Sequence, residues 1–466
     1  MDYEVVIVGA GPVGLFLAGE LRLAGVSVAV LERRTARATY TKSLGTHART
    51  LEVLAMRGLI EPFLRAGLKV PSWHFGFLER RIDFTTLDSP YPFVLSLPQE
   101  RTEELLEEWA LSLGATIVRG ETVTGLAPDD NGVSVLTETG EWRAGWVVGA
   151  DGATSAVRGA AGIAFPGTDS RVFSYLGDVV ADHPPGPGFN VVNEHGSMMV
   201  APIPGGLVRI AGYDPQDQRP GRRELGLDEL REISARITGA DFGLRDPKWL
   251  SRFGNATRVA ETYRRGRVLL AGDAAHIHFP AGAVGLNLGV QDAMNLGWKL
   301  AAVVQRRAPE GLLDTYGAER RPWGEDVARH TLAQTALISA TTPEGLALRG
   351  LLSDFLGQLP ELSTLIARRL SAIDVHYPPG DPAAHPLTGT RVAELGDHLH
   401  EGRAALAMAD PPPSVMGAAA RAGFRVATEP IASARAAVIR PDGYVWWAGD
   451  DTAAVVPALT ATGVTF

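Results

Sequence analysis

No cysteine occurs anywhere in the 466 residues. That absence removes disulfide frameworks, thiolate metal sites, thiol nucleophiles and Cys-x-x-Cys redox relays together. Long apolar runs are missing too, and none approaches the roughly 18 residues that a bilayer-spanning helix needs. The start, Met1-Asp2-Tyr3-Glu4, lacks the basic flank of a secretory leader, so none is expected. Positive charge is in the minority, with 44 Lys plus Arg against 53 Asp plus Glu and a net charge of −9. This balance argues against a nucleic-acid partner, because neutralising phosphates needs a broad basic face. The Arg-Arg pairs at 33–34, 80–81, 264–265, 306–307 and 320–321 are scattered along the chain. With 53 Gly and 31 Pro, the two together stay below the roughly one quarter that marks low complexity. What remains is a globular composition, 45% hydrophobic and 21% charged, long enough for about three domains. A cytoplasmic protein is expected, with neither membrane nor nucleic acid as partner.

The N-terminal pattern is the most informative. An apolar run at 4–8 ends in Gly9-Ala10-Gly11-Pro12-Val13-Gly14, and residues 15–24 then carry apolar positions at helical spacing. Gly25 stops that helix, a second apolar run covers 26–31, and Glu32 closes it. Strand, glycine turn, helix, strand and acid make a βαβ unit. Downstream, 101–113 reads as a helix, and 115–118, 132–138 and 141–148 as strands leading to Asp151-Gly152. Between about 172 and 212 the texture changes to short β segments with Pro/Gly turns. Residues 268–271 form a strand, 285–304 a long helix, and 314–371 a further helical region. Pro, Gly and Ala concentrate at 377–390, which reads as a linker. A small Ala-rich module follows, with a strand pair around Pro441-Asp442-Gly443.

Three motifs carry chemistry. In Gly9-x-Gly11-x-x-Gly14 the glycines permit a tight turn and close approach of main chain to a pyrophosphate. The helix that follows offers free N–H groups and a positive dipole end. Glu32, at the end of the second strand, suits the hydroxyls of a ribose and disfavours a 2′-phosphate. The second motif is Gly149-Ala-Asp151-Gly152-Ala-Thr-Ser155-Ala-Val157-Arg158, which also reads as a turn and an N-capped helix with a solvated Arg158. The third runs from Gly266 to Gly289: a strand delivers Gly272-Asp273, and a glycine-spaced loop opens the long helix at Gly285-Leu286-Asn287. Asp273 suits the hydroxyls of a ribityl chain, and the helix start suits a ring carbonyl or a pyrophosphate. His276 and His278 could be read as metal ligands, but without a nearby carboxylate cluster a packing or capping role is favoured and no metal is expected. Aromatics at Trp73, Phe75 and Phe77 alternate, so on a strand they would share one face, suited to stacking on a planar ligand, with His74 turned to solvent.

Together these segments resemble the class A flavoprotein monooxygenases, the p-hydroxybenzoate hydroxylase family, and within it the aromatic polyketide hydroxylases and rifampicin monooxygenase. The resemblance spans about residues 3–375. It implies an α/β fold: a Rossmann-like (GR2-type) FAD-binding domain, an inserted mixed β-sheet substrate domain, and a small, shortened thioredoxin-like C-terminal domain. The corresponding segments are 1–70, 98–172 and 255–375; then 71–97 and 173–254; then 385–466. It also implies tightly but non-covalently bound FAD, transient NADPH or NADH as reductant, and O2 captured as a C4a-hydroperoxyflavin. Gly9, Gly11, Pro12, Val13, Gly14, Glu32, Arg33 and Arg34 are then expected around the ADP half of the cofactor. Gln99, Asp151, Gly272, Asp273, Pro280, Gly285, Leu286 and Asn287 line the remainder. Arg49, Lys42 and Pro280, whose carbonyl would steer a substrate hydroxyl, are the catalytic expectation. Trp73, Phe75, Phe77, Phe279 and Gly282 are expected at a polycyclic aromatic substrate in antibiotic biosynthesis. The chain departs from the family at three places. Lys42 replaces an arginine, Phe279-Pro280 replaces Pro-Pro, and Gly282-Ala283-Val284 replaces Gly-Gly-Gln. The altered loop keeps a Baeyer–Villiger or ring-opening outcome open, alongside a non-catalytic FAD-binding partner. A homodimer is a candidate assembly.

Overall fold

A computed structural model describes residues 2–218, 224–393, 395–429, 431 and 433–466. The βαβ unit forms as the pattern predicts: β1 (Tyr3–Val8), α1 (Pro12–Leu23) and β2 (Val28–Glu32). All five residues of β2 are buried, as are the last four of β1, which is the signature of a parallel sheet covered on both faces. The central sheet runs Val268–Leu270, Glu141–Gly149, β1, β2, Thr116–Arg119, every adjacent pair parallel. The short strand Arg264–Arg265 joins its edge antiparallel, and a hairpin of Val123–Asp129 and Gly132–Thr137 pairs with the first half of Glu141–Gly149. In register, Val8 faces Leu31 and Gly149, while Gly149 faces Leu270. Three adjacent parallel strands therefore end together, and the three motifs are the loops that leave them. That is the edge at which an open α/β sheet binds its ligand.

The second sheet has five strands, in the order Asn190–Asn193, Gly196–Ile203, Leu207–Tyr213, Phe173–Ala181, Leu244–Gly254. All its pairings are antiparallel, so the expected mixed sheet is corrected. Tight turns such as Asn193–Gly196 join several successive strands, and a two-residue connection can only return the chain antiparallel. Helix Leu227–Thr238 covers one face, packing Leu230, Ile233 and Ile237 on Tyr175, Val179, Met198, Val200 and Ile210. The other face looks toward the cofactor-binding half. Segment 71–97 lies outside this sheet: Ser72–Trp73 pairs only with Ile82–Asp83, and Val94–Ser96 pairs with Gly45–Thr46 and Leu68–Val70.

Helices Asp314–Ile338, Pro343–Gln358 and Pro360–Leu370 make up the expected helical stretch. The C-terminal module is a four-stranded sheet, Arg425–Ala427, Ala405–Met408, Ala436–Ile439, Val445–Gly449, with two helices packed on it. Its hairpin turn is driven into the main body. A Cβ on Gly443 would lie 2.4 Å from Met56 Cε, and Arg57 donates to the carbonyls of Leu399 (2.8 Å) and Pro441 (3.0 Å). Residues 377–390 form no helix or strand, yet they are fastened to this hairpin through Gly389 N–H to Val445 O at 2.8 Å. Among the described residues, no helix is long and apolar enough to cross a membrane.

Candidate active site

At the end of β1 the three glycines do different work. Gly9 has φ +107°, and a Cβ there would sit 2.4 Å from the carbonyl oxygen of Ala150, so it carries the turn past the second motif. A Cβ on Gly14 would meet the Gly9 oxygen at 2.0 Å, so it sets how closely α1 approaches the strand. Gly11 faces nothing within 4 Å. It occupies the N-cap of α1 with no side-chain cap, and Pro12 follows as the first helical residue. The open main chain and uncapped N–H groups leave room and donors for a diphosphate. Glu32 is tied back to this loop: Oε2 accepts from Ala10 N–H and Oε1 from Arg34 N–H, both at 2.9 Å. It braces the turn. Arg33 is exposed, and Arg34 donates to the Tyr40 hydroxyl at 3.2 Å.

Asp151 stands against this turn. Its Oδ2 accepts the Val157 N–H at 3.2 Å, while its Oδ1 is buried with no partner. Ser155 caps the short helix that follows by accepting the Arg158 N–H at 2.9 Å. Arg158 is half-buried and committed to main chain rather than free in solvent. It bonds the carbonyls of Ala153 and Ala274, both at 2.9 Å, and lies 3.8 Å over the Phe165 ring, joining the second motif to the third.

Gly272 and Gly289 together cradle Val13, since a Cβ on either would fall 2.9 or 2.5 Å from Val13 Cγ2. Residues far apart in sequence thus close round the start of α1, and Asp273 is left exposed beside them. Beneath lies a buried charge cluster. Asp292 accepts from Arg320 Nε at 2.8 Å and from Gly272 N–H at 3.3 Å, and its Oδ2 is 2.6 Å from His276 Nε2. Burial opposes ionisation of this carboxyl, but its contacts with His276 and Arg320 outweigh it and hold the carboxyl below its usual value. His276 is buried and its Nε2 is engaged with Asp292; among the described residues no group of three or more His, Asp and Glu could hold a metal ion. The helix Val284–Val304 starts after Ala283, in the left-handed region at φ +58°, with no side-chain cap. Its Asn287 is fully committed to main chain, accepting from His47 N–H (2.8 Å) and donating to Gly45 O (2.9 Å) and Ala283 O (2.8 Å). At this end the helix N–H groups have no side-chain cap, whereas the Asn287 amide is already occupied. Gln99 opens its helix and bonds Glu103 at 2.8 Å.

Three expectations are corrected. Arg49 is 1% exposed; its guanidinium bonds Glu52 at 2.9 Å and Asp442 O at 2.7 Å and stacks on Tyr444, so it docks the C-terminal module. Only a contact 393 positions away decides this. The aromatics at 73, 75 and 77 do not share one face, because the strand ends at Trp73 and Gly76 and Phe77 both turn left-handed. Phe75 packs on His330 with centroids 5.2 Å apart, and His74 is buried, stacked on Trp73 and edge-on to Phe77. Gly282 faces Leu370 and Gln334 rather than an open pocket. Lys42 extends into solvent, and Pro280 is exposed with its carbonyl accepting Ala283 N–H at 3.3 Å.

Phe77 and Phe279 do meet. They form one cluster with Ala281 and Ile338, against Val192, Met199, Tyr213 and Phe253 of the five-stranded sheet. Phe253 and Phe279 lie 5.4 Å apart by centroid. Farther along the same sheet face, Arg209 pairs with Asp178 at 2.7 and 2.8 Å and reaches the carbonyls of Thr41 and Lys42, linking sheet to cofactor half. None of these sheet residues is apparent from a motif. Their signal is single charges inside apolar strands (LVRIAGY, FSYLGDVVA), where a charge is buried only when paired. Beside the cluster, His47 Nε2–H donates to Gly282 O at 2.8 Å. Burial pushes His47 down to about 4, and burial with Arg81 nearby pushes His74 down to about 3, so both are neutral at pH 7. His47 Nδ1, His74 Nδ1 and Trp73 Nε1 are buried without partners.

Comparison with known proteins agrees with this geometry. The family described as FAD binding domain matches residues 2–331. An uncharacterized aromatic compound monooxygenase of Bacillus subtilis (strain 168) is 44% identical, over 97% of this chain and 95% of its own. Rifampicin monooxygenase of Streptomyces venezuelae is 41% identical over 98% of both chains. The solved structure of an anhydrotetracycline hydroxylase from Streptomyces rimosus superposes with a TM-score of 0.89 at 39% identity, covering 100% of each chain. A glycine loop with room and donors for a diphosphate, an orphaned Asp151 oxygen and an uncapped second helix all fit the FAD that the matching family is described as binding. The chain belongs to the FAD-binding-domain family and, within it, to the class A FAD-dependent monooxygenases.

Proposed function

We propose that the protein hydroxylates an electron-rich polycyclic aromatic compound of the polyketide type, with NADPH or NADH as reductant and O2 as co-substrate. Substrate, O2, NAD(P)H and a proton give hydroxylated product, NAD(P)+ and water. The observation that carries this reading is the aromatic wall between the two sheets. Phe77 and Phe279 pack against Tyr213, Phe253, Met199 and Val192 of the sheet, bringing together the aromatic and apolar side chains that stacking on fused rings requires. Bound FAD would supply the activation of dioxygen and the transfer of one oxygen atom to a ring carbon.

The chain supplies everything else. Gly11, the start of α1, Glu32 and Asp151 would hold the adenosine diphosphate half; Asp273 and the N–H groups at Gly285 and Leu286 would hold the ribityl and ring end. The wall orients the substrate and excludes water. Neutral His47 and His74 each keep one unpartnered Nδ1 that could accept a hydrogen bond from a substrate hydroxyl, and Trp73 Nε1 could donate one to a carbonyl. The relatives named for rifampicin and anhydrotetracycline support a role in antibiotic metabolism.

The test is purification followed by a visible spectrum and NADPH consumption with and without polycyclic phenols. Yellow protein, phenol-stimulated oxidation and a product one oxygen atom heavier are expected. Colourless protein that cannot be reconstituted with FAD overturns the reading. Loss of a ring-ketone signal from the product would assign oxygen insertion instead.

A further inference from the structure

We propose that Arg349 is a positioning residue for the substrate wall, acting from outside the pocket by locking the Gly76-Phe77 turn that presents the Phe77 ring. This rests on the reading of the wall given above. Phe75 O accepts the Leu78 N–H at 3.0 Å, and the two central residues, Gly76 (φ +57°) and Phe77 (φ +53°), are both left-handed. That is the geometry of a type I′ turn, whose second central position favours Gly and disfavours a bulky side chain. A phenylalanine stays there only when its surroundings over-determine it.

The surroundings do so mainly through one charged side chain. Arg349 projects from helix Pro343–Gln358 and is 7% exposed. Its Nη1 donates to Gly76 O and to Leu337 O, each at 2.7 Å, and its Nη2 donates to Phe77 O. Two further side chains complete the clamp: Gln334 Oε1 accepts the Gly76 N–H, and Asn190 Nδ2 donates to Phe77 O, both at 3.2 Å. A buried cation is costly unless it is fully bonded, and a carboxylate is its usual partner. Among the described residues no carboxylate pairs with Arg349; burial lowers its guanidinium to about 10, still charged at neutral pH. Leu337 O lies in the last turn of helix Asp314–Ile338, the negative end of that helix dipole. The charge is therefore spent on orienting carbonyls, two of which belong to the turn.

The geometry also says where the effect goes. Phe77 O is fixed by Arg349 from one side and by Asn190, on the five-stranded sheet, from the other. The Phe77 side chain belongs to one buried cluster with Phe279, Ala281 and Ile338, against which Val192 and Met199 pack. Releasing the turn would move the ring, not the cofactor groove.

The test uses the FAD-loaded enzyme with rifampicin and anhydrotetracycline as probes. Arg349→Met is expected to raise KM about tenfold, the scale of one lost charge-assisted hydrogen bond. FAD content should be unchanged and kcat should move less than about twofold; Arg349→Lys should recover part of the KM. In a Phe77→Ala background Arg349→Met should add little, because the ring it positions is gone. Equal KM effects with and without the ring would overturn the proposal. Amide exchange of the resting holoenzyme gives a readout that needs no substrate. Leu78 N–H should exchange faster in Arg349→Met while β1 and α1 stay protected, and unchanged exchange at 76–78 would overturn it. Should Arg349→Met fail to fold, Asn190→Ala removes the opposing donor and should move both readouts the same way by less. If the unmodified enzyme turns over neither probe, the choice of substrate class fails, and exchange at Leu78 still decides the role of Arg349.

Discussion

Around the dinucleotide groove the protein works mostly with main chain: a left-handed Gly9, an open Gly11, uncapped N–H groups on two helices. Across the five-stranded sheet, some tens of residues on, it works with side chains, and the main chain there is consumed by the ladder. Backbone geometry restricts which residue can stand at a position, because a Cβ either fits or collides. Packing restricts only volume and polarity, and many residues satisfy it. The two regions should therefore fail in different ways when altered, one by losing fold or cofactor and the other by losing selectivity.

The largest expected effect is at Gly14. In Gly14→Ala the new Cβ would lie 2.0 Å from the Gly9 oxygen, so α1 must leave the sheet; a loss above about 4 kcal/mol and no soluble flavoprotein are expected. Gly11→Ala, three residues away, meets nothing within 4 Å. Its thermal midpoint should stay within about two degrees of the parent apoprotein while FAD content falls at least tenfold. Thermal melts beside flavin absorbance decide both. A Gly11→Ala protein that keeps its full yellow colour would mean that the diphosphate does not lie over this residue.

A smaller effect belongs to the buried imidazoles beside the wall. His47 titrates near 4 in the folded state and near its ordinary 6.5 when unfolded, and His74 lower still. Between those values the unfolded chain binds more protons, so stability is full above about pH 6.5 and falls as pH drops toward 4. His47, fully buried, accounts for a loss on the order of 3 kcal/mol over that window. Denaturant melts at pH 7 and pH 5 should show the loss, and His47→Gln should flatten the slope. A slope unchanged by that substitution would place the acid sensitivity in another group, such as His74; the Asp292 carboxyl, lowered by its partners, loses its contribution only below the usual carboxylate range.

How much of this was legible follows the same division. The βαβ unit, the three motif loops and the long helix after Gly285 are readable because each is local: glycines, a strand and a helix start within about 30 residues. The direction of the five-stranded sheet follows from turn length, which the Pro/Gly clusters show only roughly. Arg49 was misplaced because an arginine beside a cofactor motif looks the same whether it faces the groove or Asp442. Its partner lies across 393 residues, and its depth of burial is invisible in composition. Asn287 presents a subtler case: the residue stands at the expected helix start, but its amide is occupied by Gly45, Ala283 and His47. The aromatic stripe failed for a conformational reason, since period-two alternation holds only while the chain stays extended, and Gly76-Phe77 ends the extension.

Met199 offers the mildest way to separate the two regions. It is half-buried, belongs to the wall cluster, and pairs across strands with Asn190 and Ala211. Leucine has nearly its volume, so Met199→Leu should cost less than about 1.5 kcal/mol and leave FAD content alone. A thioether, however, adapts to a ring edge in ways that a branched side chain does not. The ratio of KM values for two polycyclic probes should therefore shift by a fewfold, with kcat for the better probe nearly unchanged. If the ratio stays fixed while Met199→Ala, which opens a larger void, changes nothing either, the substrate does not lie on this face, and the half-buried residues between the sheets are only a domain contact.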